Sequence, residues 1–448
     1  MTTFDPTAII DTGGWDMVIG LPLAMINTAL NAQKLDLSFR FTTPNAGQTI
    51  TLTGAFAPWS IGGGSGQDLT LIIPIASGTA SVTGAAASAV AVPAGTYDLA
   101  GISITVSTRL AFEQPSGTPG ISRLVFAFDE ATSQVSTQTG APTGGKLVEG
   151  GETLPVLLQD VLPDAIAACL AANIATMDLV FATLTEGVSP SGPTAPANPR
   201  WEYAVASQQD CPSQAVALFY AASAGTTLSS AIPAPIGTND TACITLLSSE
   251  AALRSVVVPI LVYALDHVRA PMPEAFGIGP VLLQPPPATN AIDPSLFSVT
   301  LGAAGTNTAT IAAIRPIDLA LGGWSEGATA TLTTFTCAVA GNDLTISFTA
   351  QSSVDPGMPY ATSRSYRLEF GQEWSFGQSS FGFHLWPTGS SEPENEIQHM
   401  IFGAIDLGLD AAILPFTFAL FGNQTMQPQE GYLNGGLGLA GPIGSATS

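Results

Sequence analysis

Residues 246–266 read LLSSEAALRSVVVPILVYALD, and this stretch sets the terms for the rest of the chain. It opens with apolar residues of strand type, passes Ser248-Ser249, and then places Leu253, Val256, Val257, Ile260, Leu261 and Ala264 on one helical face. Ser248 or Ser249 can accept a hydrogen bond from an orphan amide at the helix start, and Glu250 complements the positive end of the helix dipole. Val258, Val262 and Leu265 make the opposite face apolar as well. A helix without a polar side is deeply buried or faces another apolar medium. Pro259 removes one amide and crowds the carbonyl four residues back, which predicts a kink or a local opening. The apolar run between Arg254 and Asp266 is too short to span a bilayer.

At 448 residues the chain has length for two or three domains. It is 46% hydrophobic and 10% charged, against about 25% charged in ordinary domains. Lys plus Arg total 11 against 34 Asp plus Glu, a net charge of -23. That balance argues against nucleic acid as a partner and against electrostatic docking on anionic membranes. No basic segment followed by an apolar core opens the chain, so the expectation is cytoplasmic synthesis, with release only by a non-classical route. No stretch reaches the ~18 apolar residues of an integral membrane segment. Cys169, Cys211, Cys243 and Cys337 lie far apart and are expected as small buried hydrophobes rather than disulfides or metal ligands.

Gly13-Gly14-Trp15-Asp16 precedes a short strand at Met17-Val18-Ile19. Pro22 then suits a helix start, with Leu23, Ile26 and Leu30 as its buried stripe. This strand–break–helix order is echoed at 246–266. Leu35, Leu37, Phe39 and Phe41 alternate with polar residues as a half-buried strand does. Further strands are predicted at 49–57, 69–76, 78–92, 102–112 and 121–128. A polar loop (136–151) leads to an amphipathic helix with Leu158, Leu162, Ile166 and Leu170, stopped at Asn173.

Strands at 178–185, 200–207, 214–222 and 241–247 follow, the first two separated by a Pro-rich loop at 189–199. A second Pro-rich stretch covers 271–290. Beyond it, 296–303 and 307–320 read as strands, and 328–340 pairs with 343–350 across Gly341-Asn342. Tyr366, Leu368 and Phe370 alternate in another strand. Ile397, Met400, Ile401, Ala404 and Ile405 make a last helix face, and 415–421 a final strand. The class is α+β with long antiparallel sheets.

Catalytic chemistry finds no good candidate. Gly323-Trp324-Ser325-Glu326-Gly327 matches the GxSxG elbow, but a helix must follow that turn and the next residues are strand formers. His267, His384 and His399 are not at metal spacing, and there is no HExxH or CxxC. Gly62-Gly63-Gly64-Ser65-Gly66 lacks the lysine of a phosphate loop and reads as a flexible turn. Asp355, Glu392 and Glu394 sit in predicted loops. No metal and no cofactor are expected.

Two segments resemble signature stretches of the TULIP (tubular lipid-binding) superfamily. They are similar in particular to the forty-seven-kilodalton accessory proteins encoded beside clostridial neurotoxins. One is Gly14-Trp15-Asp16 followed by Asn27 and Leu30; the other is Ser248, Glu250, Leu253 and Pro259 at the spacing S-x-E-x-x-L-x-x-x-x-x-P. Ala252 stands where that family tends to carry a bulkier residue, and lysines are far fewer. The resemblance implies an elongated fold with curved antiparallel sheets wrapping long helices, in two lobes, 1–240 and 241–448. It implies an apolar groove lined by Leu23, Ile26, Leu30, Leu253, Val256 and Ile260. The function it implies is non-enzymatic carriage of a lipid, fatty acyl or other hydrophobic ligand. The alternative is a scaffold or accessory component of a toxin-type complex, with protein partners from the same gene cluster and a filled groove.

Overall fold

The computed structural model describes residues 9–32, 38–84, 91–113, 121–127, 143–149, 154–177, 180–185, 200–206, 214–221, 228–236, 242–258, 261–262, 265, 293–303, 307–320, 329–353, 359–375, 378–388, 417–420, 424–426 and 429–445. The chain begins with β1 (Met17–Pro22), α1 (Leu23–Ala32), β2 (Ser38–Asn45), β3 (Gln48–Phe56), β4 (Ser60–Ser65), β5 (Asp68–Thr83) and β6 (Gly95–Asp98). It continues with β7 (Ser103–Glu113), β8 (Ile121–Ala127), β9 (Thr143–Glu149), α2 (Val156–Met177), β10 (Val180–Thr185), β11 (Arg200–Ala206) and β12 (Ala215–Ala221). Next come β13 (Cys243–Ser248), α3 (Ser249–Ala252), a π-helical turn at Leu253–Val257, and β14 (Phe297–Leu301). Then follow β15 (Thr308–Ala313), β16 (Ile317–Ala320), β17 (Thr329–Ala340), β18 (Asp343–Ser352), β19 (Tyr360–Ser375) and β20 (Gln378–Pro387). Five short strands close the chain: β21 (Thr417–Leu420), β22 (Gln424–Met426), β23 (Glu430–Leu433), β24 (Gly436–Gly441) and β25 (Ile443–Ser445).

These strands form three antiparallel sheets, so the protein is mostly sheet with few helices. One sheet runs β11-β12-β1-β13-β24-β23. A 12-stranded sheet follows the path β2-β3-β5-β7-β8-β10-β21-β22-β25, with β4 and β6 on β5 and β9 on β7. A 7-stranded sheet runs β14-β15-β17-β18-β19-β20, with β16 on β17. Twisted sheets of this width curl, and the curled half-barrel is the result.

The six-stranded sheet has the same order read from either edge. β1 and β13 lie antiparallel at its centre, from Met17↔Leu247 to Gly20↔Ile244. The β11–β12 pair flanks β1, and the β23–β24 pair flanks β13. Each central strand runs straight into a helix, which is the structural form of the strand–break–helix echo. Because the two strands are antiparallel, α1 and α3 leave from opposite ends, about 20 Å apart at ~3.3 Å per residue. Residue 240 falls between β12 and β13.

Both faces of this sheet are covered, so β1 is buried at every position. Met17, Ile19 and Leu21 enter the principal core, while Val18 packs with Trp15, Phe219, Ile244 and Leu246 in a second cluster. A strand covered on both sides reads as a continuous apolar run rather than an alternation.

Several elements differ from the sequence expectation. The strands expected at 69–76 and 78–92 begin as one strand, β5, because β3 pairs along it past Gly78, with a register shift at Ala55/Phe56. The polar loop expected at 136–151 contains β9, which pairs with Ser103–Ser107 of β7. The long apolar strand β7 supplies the ladder that this polar segment could not signal on its own. α2 runs past Asn173 to Met177; Asn lowers helix propensity by only a few tenths of a kcal/mol, about too little to stop a buried helix. Leu158, Leu162, Ile166 and Leu170 are fully buried, and the exposed stripe is Asp160, Asp164, Ala168 and Ala172.

The strand expected over 307–320 is broken at 314–316 into β15 and β16, since Pro316 has no amide for the ladder. Gly62, Gly63 and Gly64 form part of β4 rather than a flexible turn. A Cβ at Gly64 would lie 2.2 Å from the Asp68 carbonyl oxygen and 3.0 Å from Val205, so glycine permits this close packing. The Gly341-Asn342 hairpin is present as expected, with Ala340↔Asp343 and Gly341 at φ 60°. Ser325 and its GxSxG segment, the 397–405 helix face, Leu35, Leu37, Cys211, Pro259, Ile260, His267 and His399 lie outside the described residues. The segment after that elbow is strand β17, not a helix.

Candidate functional site

The site is built where β13 turns into a helix. Ser248 Oγ accepts from the Ala251 N–H at 3.2 Å, which caps the helix start. Arg254 Nε donates to Glu250 Oε1 at 2.9 Å one turn later. Both of those side chains are half-exposed, so the pair contributes about 0.3–0.5 kcal/mol. The backbone N–H of Ser248 donates to the Asp16 carbonyl at 2.8 Å, joining the two signature segments.

The opening expected around Pro259 lies just upstream of it in sequence. Leu253–Val257 is a π turn, closed by the Val258 N–H donating to the Leu253 carbonyl, five residues back. The widened turn carries Leu253 and Val256, both buried in the principal core with Val257, Val258, Leu261 and Leu265. Wide turns of this kind recur at functional sites.

At the other end of the β1–β13 pair, α1 places Leu23, Ile26 and Leu30 in the same continuous core. All five described candidate residues are at most 5% exposed. The structure therefore sorts them into two groups, Leu23, Ile26 and Leu30 on α1 and Leu253 and Val256 beyond α3, rather than one contiguous patch. α1 is fastened by Asn27, whose Nδ2 donates to the Ile61 carbonyl at 2.9 Å. Asn27 Oδ1 accepts from the Ile61 N–H at 2.7 Å, so one amide side chain stands in for a strand neighbour of β4. The signal in sequence was Asn27, a polar residue beside the apolar seam of the helix.

Trp15 is fully buried, as an aromatic beside two glycines suggests. Its Nε1 donates to the Ser229 carbonyl at 2.8 Å, and its ring centroid lies 5.4 Å from that of Phe219. The Arg200 guanidinium sits 5.6 Å above the ring. Tyr203 was not singled out from sequence. Its hydroxyl donates to the Gln67 carbonyl at 2.6 Å and accepts from the Leu110 N–H at 2.8 Å. This ties β11 of the central sheet to the β4–β5 turn and to β7. Burial pushes its pKa up to about 12.

Cys169, Cys243 and Cys337 are buried, as small hydrophobes are expected to be. Burial raises the Cys243 thiol well above its ordinary range and pushes Cys337 to about 12. Among the described residues no group of three or more His, Cys, Asp or Glu side chains could hold a metal ion. No helix among them is long and apolar enough to cross a membrane. What the candidate residues offer chemically is apolar surface, held on capped and clipped helices.

No family model matches the sequence, and no curated protein matches it. Solved structures do. P47 of Clostridium botulinum E1 aligns over 97% of this chain and 100% of its own, with a TM-score of 0.60 at 16% identity. P47 from Clostridium botulinum A2 aligns over 98% and 99%, with a TM-score of 0.59 at 18% identity. Lipopolysaccharide binding protein aligns over 97% of this chain and 100% of its own at 11% identity, with a TM-score of only 0.30. The backbone likeness extends over nearly the whole chain, and the chain has a P47-like fold.

Proposed function

We propose that this protein binds and carries a lipid or another hydrophobic ligand, without chemical conversion, in an apolar groove beside its helices. In this reading the fold is elongated and two-lobed, 1–240 and 241–448, and long antiparallel sheets curve around the helices. The observation that carries it is the π turn at Leu253–Val257, which buries Leu253, Val256 and Val257 while Arg254 stays at the surface. A regular helix would pack such a segment more closely. In this reading the widened turn opens room along one flank for an acyl chain. The driving force is burial of apolar surface, about 0.8 kcal/mol per CH₂. Synthesis is in the cytoplasm, and the ligand is taken up without a catalytic step.

A second reading has its own support. Leu23, Ile26, Leu30, Leu253 and Val256 are all buried, as they would be if the groove were filled by the protein's own side chains. The chain would then act as a scaffold or accessory component in a toxin-type complex, with partners from its own gene cluster. Native mass spectrometry after gentle purification separates the two. An adduct of lipid mass supports carriage. A clean protein mass, together with no uptake of a fluorescent fatty acid, removes carriage and leaves the scaffold.

A further inference from the structure

β14 terminates the seven-stranded sheet, and its outer edge is formed by the backbone groups of alternate residues. It pairs with β15 from Phe297↔Ala313 to Leu301↔Ala309. Beyond the strand ends, Ile314 N–H donates to the Leu296 carbonyl at 2.8 Å, and Gly302 N–H donates to the Thr308 carbonyl at 2.7 Å. Bonded and non-bonded pairs alternate along an antiparallel ladder, so the even-numbered residues of β14 bond to β15. The N–H and C=O groups of Phe297, Val299 and Leu301 therefore point the other way. α3 packs against β14, but no described strand pairs with that outer edge.

Sheet edges are normally guarded by charge, proline or irregularity. The edge strand β2 carries Arg40 and Pro44, β11 carries Arg200 and Glu202, and β23 carries Glu430. β14, Phe-Ser-Val-Thr-Leu, has no such guard. Leu301 at its end is 46% exposed, and Ile314, opposite Leu296, is 64% exposed.

We propose that β14 is a homodimer edge, to which a second copy of this chain adds its own β14 antiparallel about a two-fold axis at Val299. The strand is self-complementary in that register. Val299 meets Val299 of the second copy, and Phe297 meets Leu301 of the second copy, so all the outward backbone groups are paired. On the opposite face Ser298 meets Thr300 of the second copy, a favourable cross-strand hydroxyl pair. No charge is brought against a like charge within the strand, and an isologous interface requires only this one patch. Over longer range, two chains of net charge -23 repel, so salt strengthens the dimer. The inference does not depend on the carriage reading.

Sedimentation velocity on the full chain, over a dilution series in low and high sodium chloride, tests it. The expected result is a monomer–dimer equilibrium that shifts toward dimer as salt rises. Val299→Pro removes an outward N–H and leaves the bonds to β15, which come from positions 298 and 300. It is expected to raise the dimer dissociation constant at least tenfold, with some loss of melting temperature because Val299 packs against the principal core. Leu301→Lys guards the same edge at an exposed position, and decides the matter should the proline variant fold poorly. A chain that stays monomeric at every concentration and salt overturns the proposal. So does a dimer that folded variants at this edge leave intact.

Discussion

The Ser248 backbone N–H donates to the Asp16 carbonyl at 2.8 Å, across 232 residues of chain (248 − 16). Asp16 lies one residue ahead of β1 and Ser248 ends β13, so this bond extends the central β1–β13 ladder by one step. At the same point the Ser248 side chain caps the helix that carries Leu253 and Val256. One residue thus closes the sheet and starts the helix, which fixes the helix direction relative to the sheet.

Trp15 anchors the same corner. Its ring is fully buried against Phe219 and its indole N–H is bonded to Ser229. Trp15→Ala is expected to destabilise the fold by ~3–5 kcal/mol, from lost burial and the cavity left behind. Urea unfolding measures this. A variant that melts within a degree or two of wild type would show that the corner does not need the ring.

Val256→Phe distinguishes a groove from a filled core. Overfilling a packed core typically costs ~1–3 kcal/mol. If Val256 lines a groove, the larger ring displaces ligand instead, and fluorescent fatty-acid affinity falls at least tenfold with little change in melting. Ile260→Trp is expected to behave likewise. Loss of stability without loss of binding in both variants would place any groove elsewhere.

Tyr203→Phe leaves the Leu110 N–H and the Gln67 carbonyl without their partner. The expected cost is ~1–3 kcal/mol near neutral pH. A pH effect accompanies it. The folded state holds the Tyr203 proton up to about 12, whereas the unfolded chain releases it near ~10. Folded protein therefore binds more protons in that window, and wild-type stability falls as pH rises from ~10 toward ~12. The phenylalanine variant should lack this component. Parallel stability–pH curves for the two proteins would contradict the assignment.

Ala46 is the only non-glycine among the described residues with positive φ, at 48°, in the Asn45-Ala46-Gly47-Gln48 turn between β2 and β3. A left-handed conformation costs an ordinary L-residue roughly 1–2 kcal/mol, and Asn adopts it more readily. Ala46→Asn creates the Asn-Gly pair favoured in two-residue hairpins and is expected to stabilise the protein by about 0.5–1 kcal/mol. A lower midpoint of unfolding would refute this.

Local order was legible in the sequence. The 3.6-residue spacing of Leu158, Leu162, Ile166 and Leu170 and the strand spacing of β17 and β18 report burial of one face, whatever lies opposite. The helix cap at Ser248 was equally readable, because it depends on a near neighbour in the chain, whereas the partners that anchor Trp15, Ser229 and Phe219, lie far along the sequence. Leu23, Ile26, Leu30, Leu253 and Val256, expected to line a groove, are all buried. Their burial alone does not distinguish core from groove.

Tertiary structure decided the pairings. β9 is polar and becomes a strand because β7 has backbone groups to share. β5 runs through Gly78 because β3 continues beside it, and the β4 glycines are strand residues because β11 and β5 approach closely. The structure also sends the two groups of candidate residues to opposite ends of β1–β13. The physical reason is one of range. Side-chain periodicity is written residue by residue, whereas a sheet neighbour is a hydrogen-bonding partner that can lie hundreds of residues away, as Asp16 and Ser248 do.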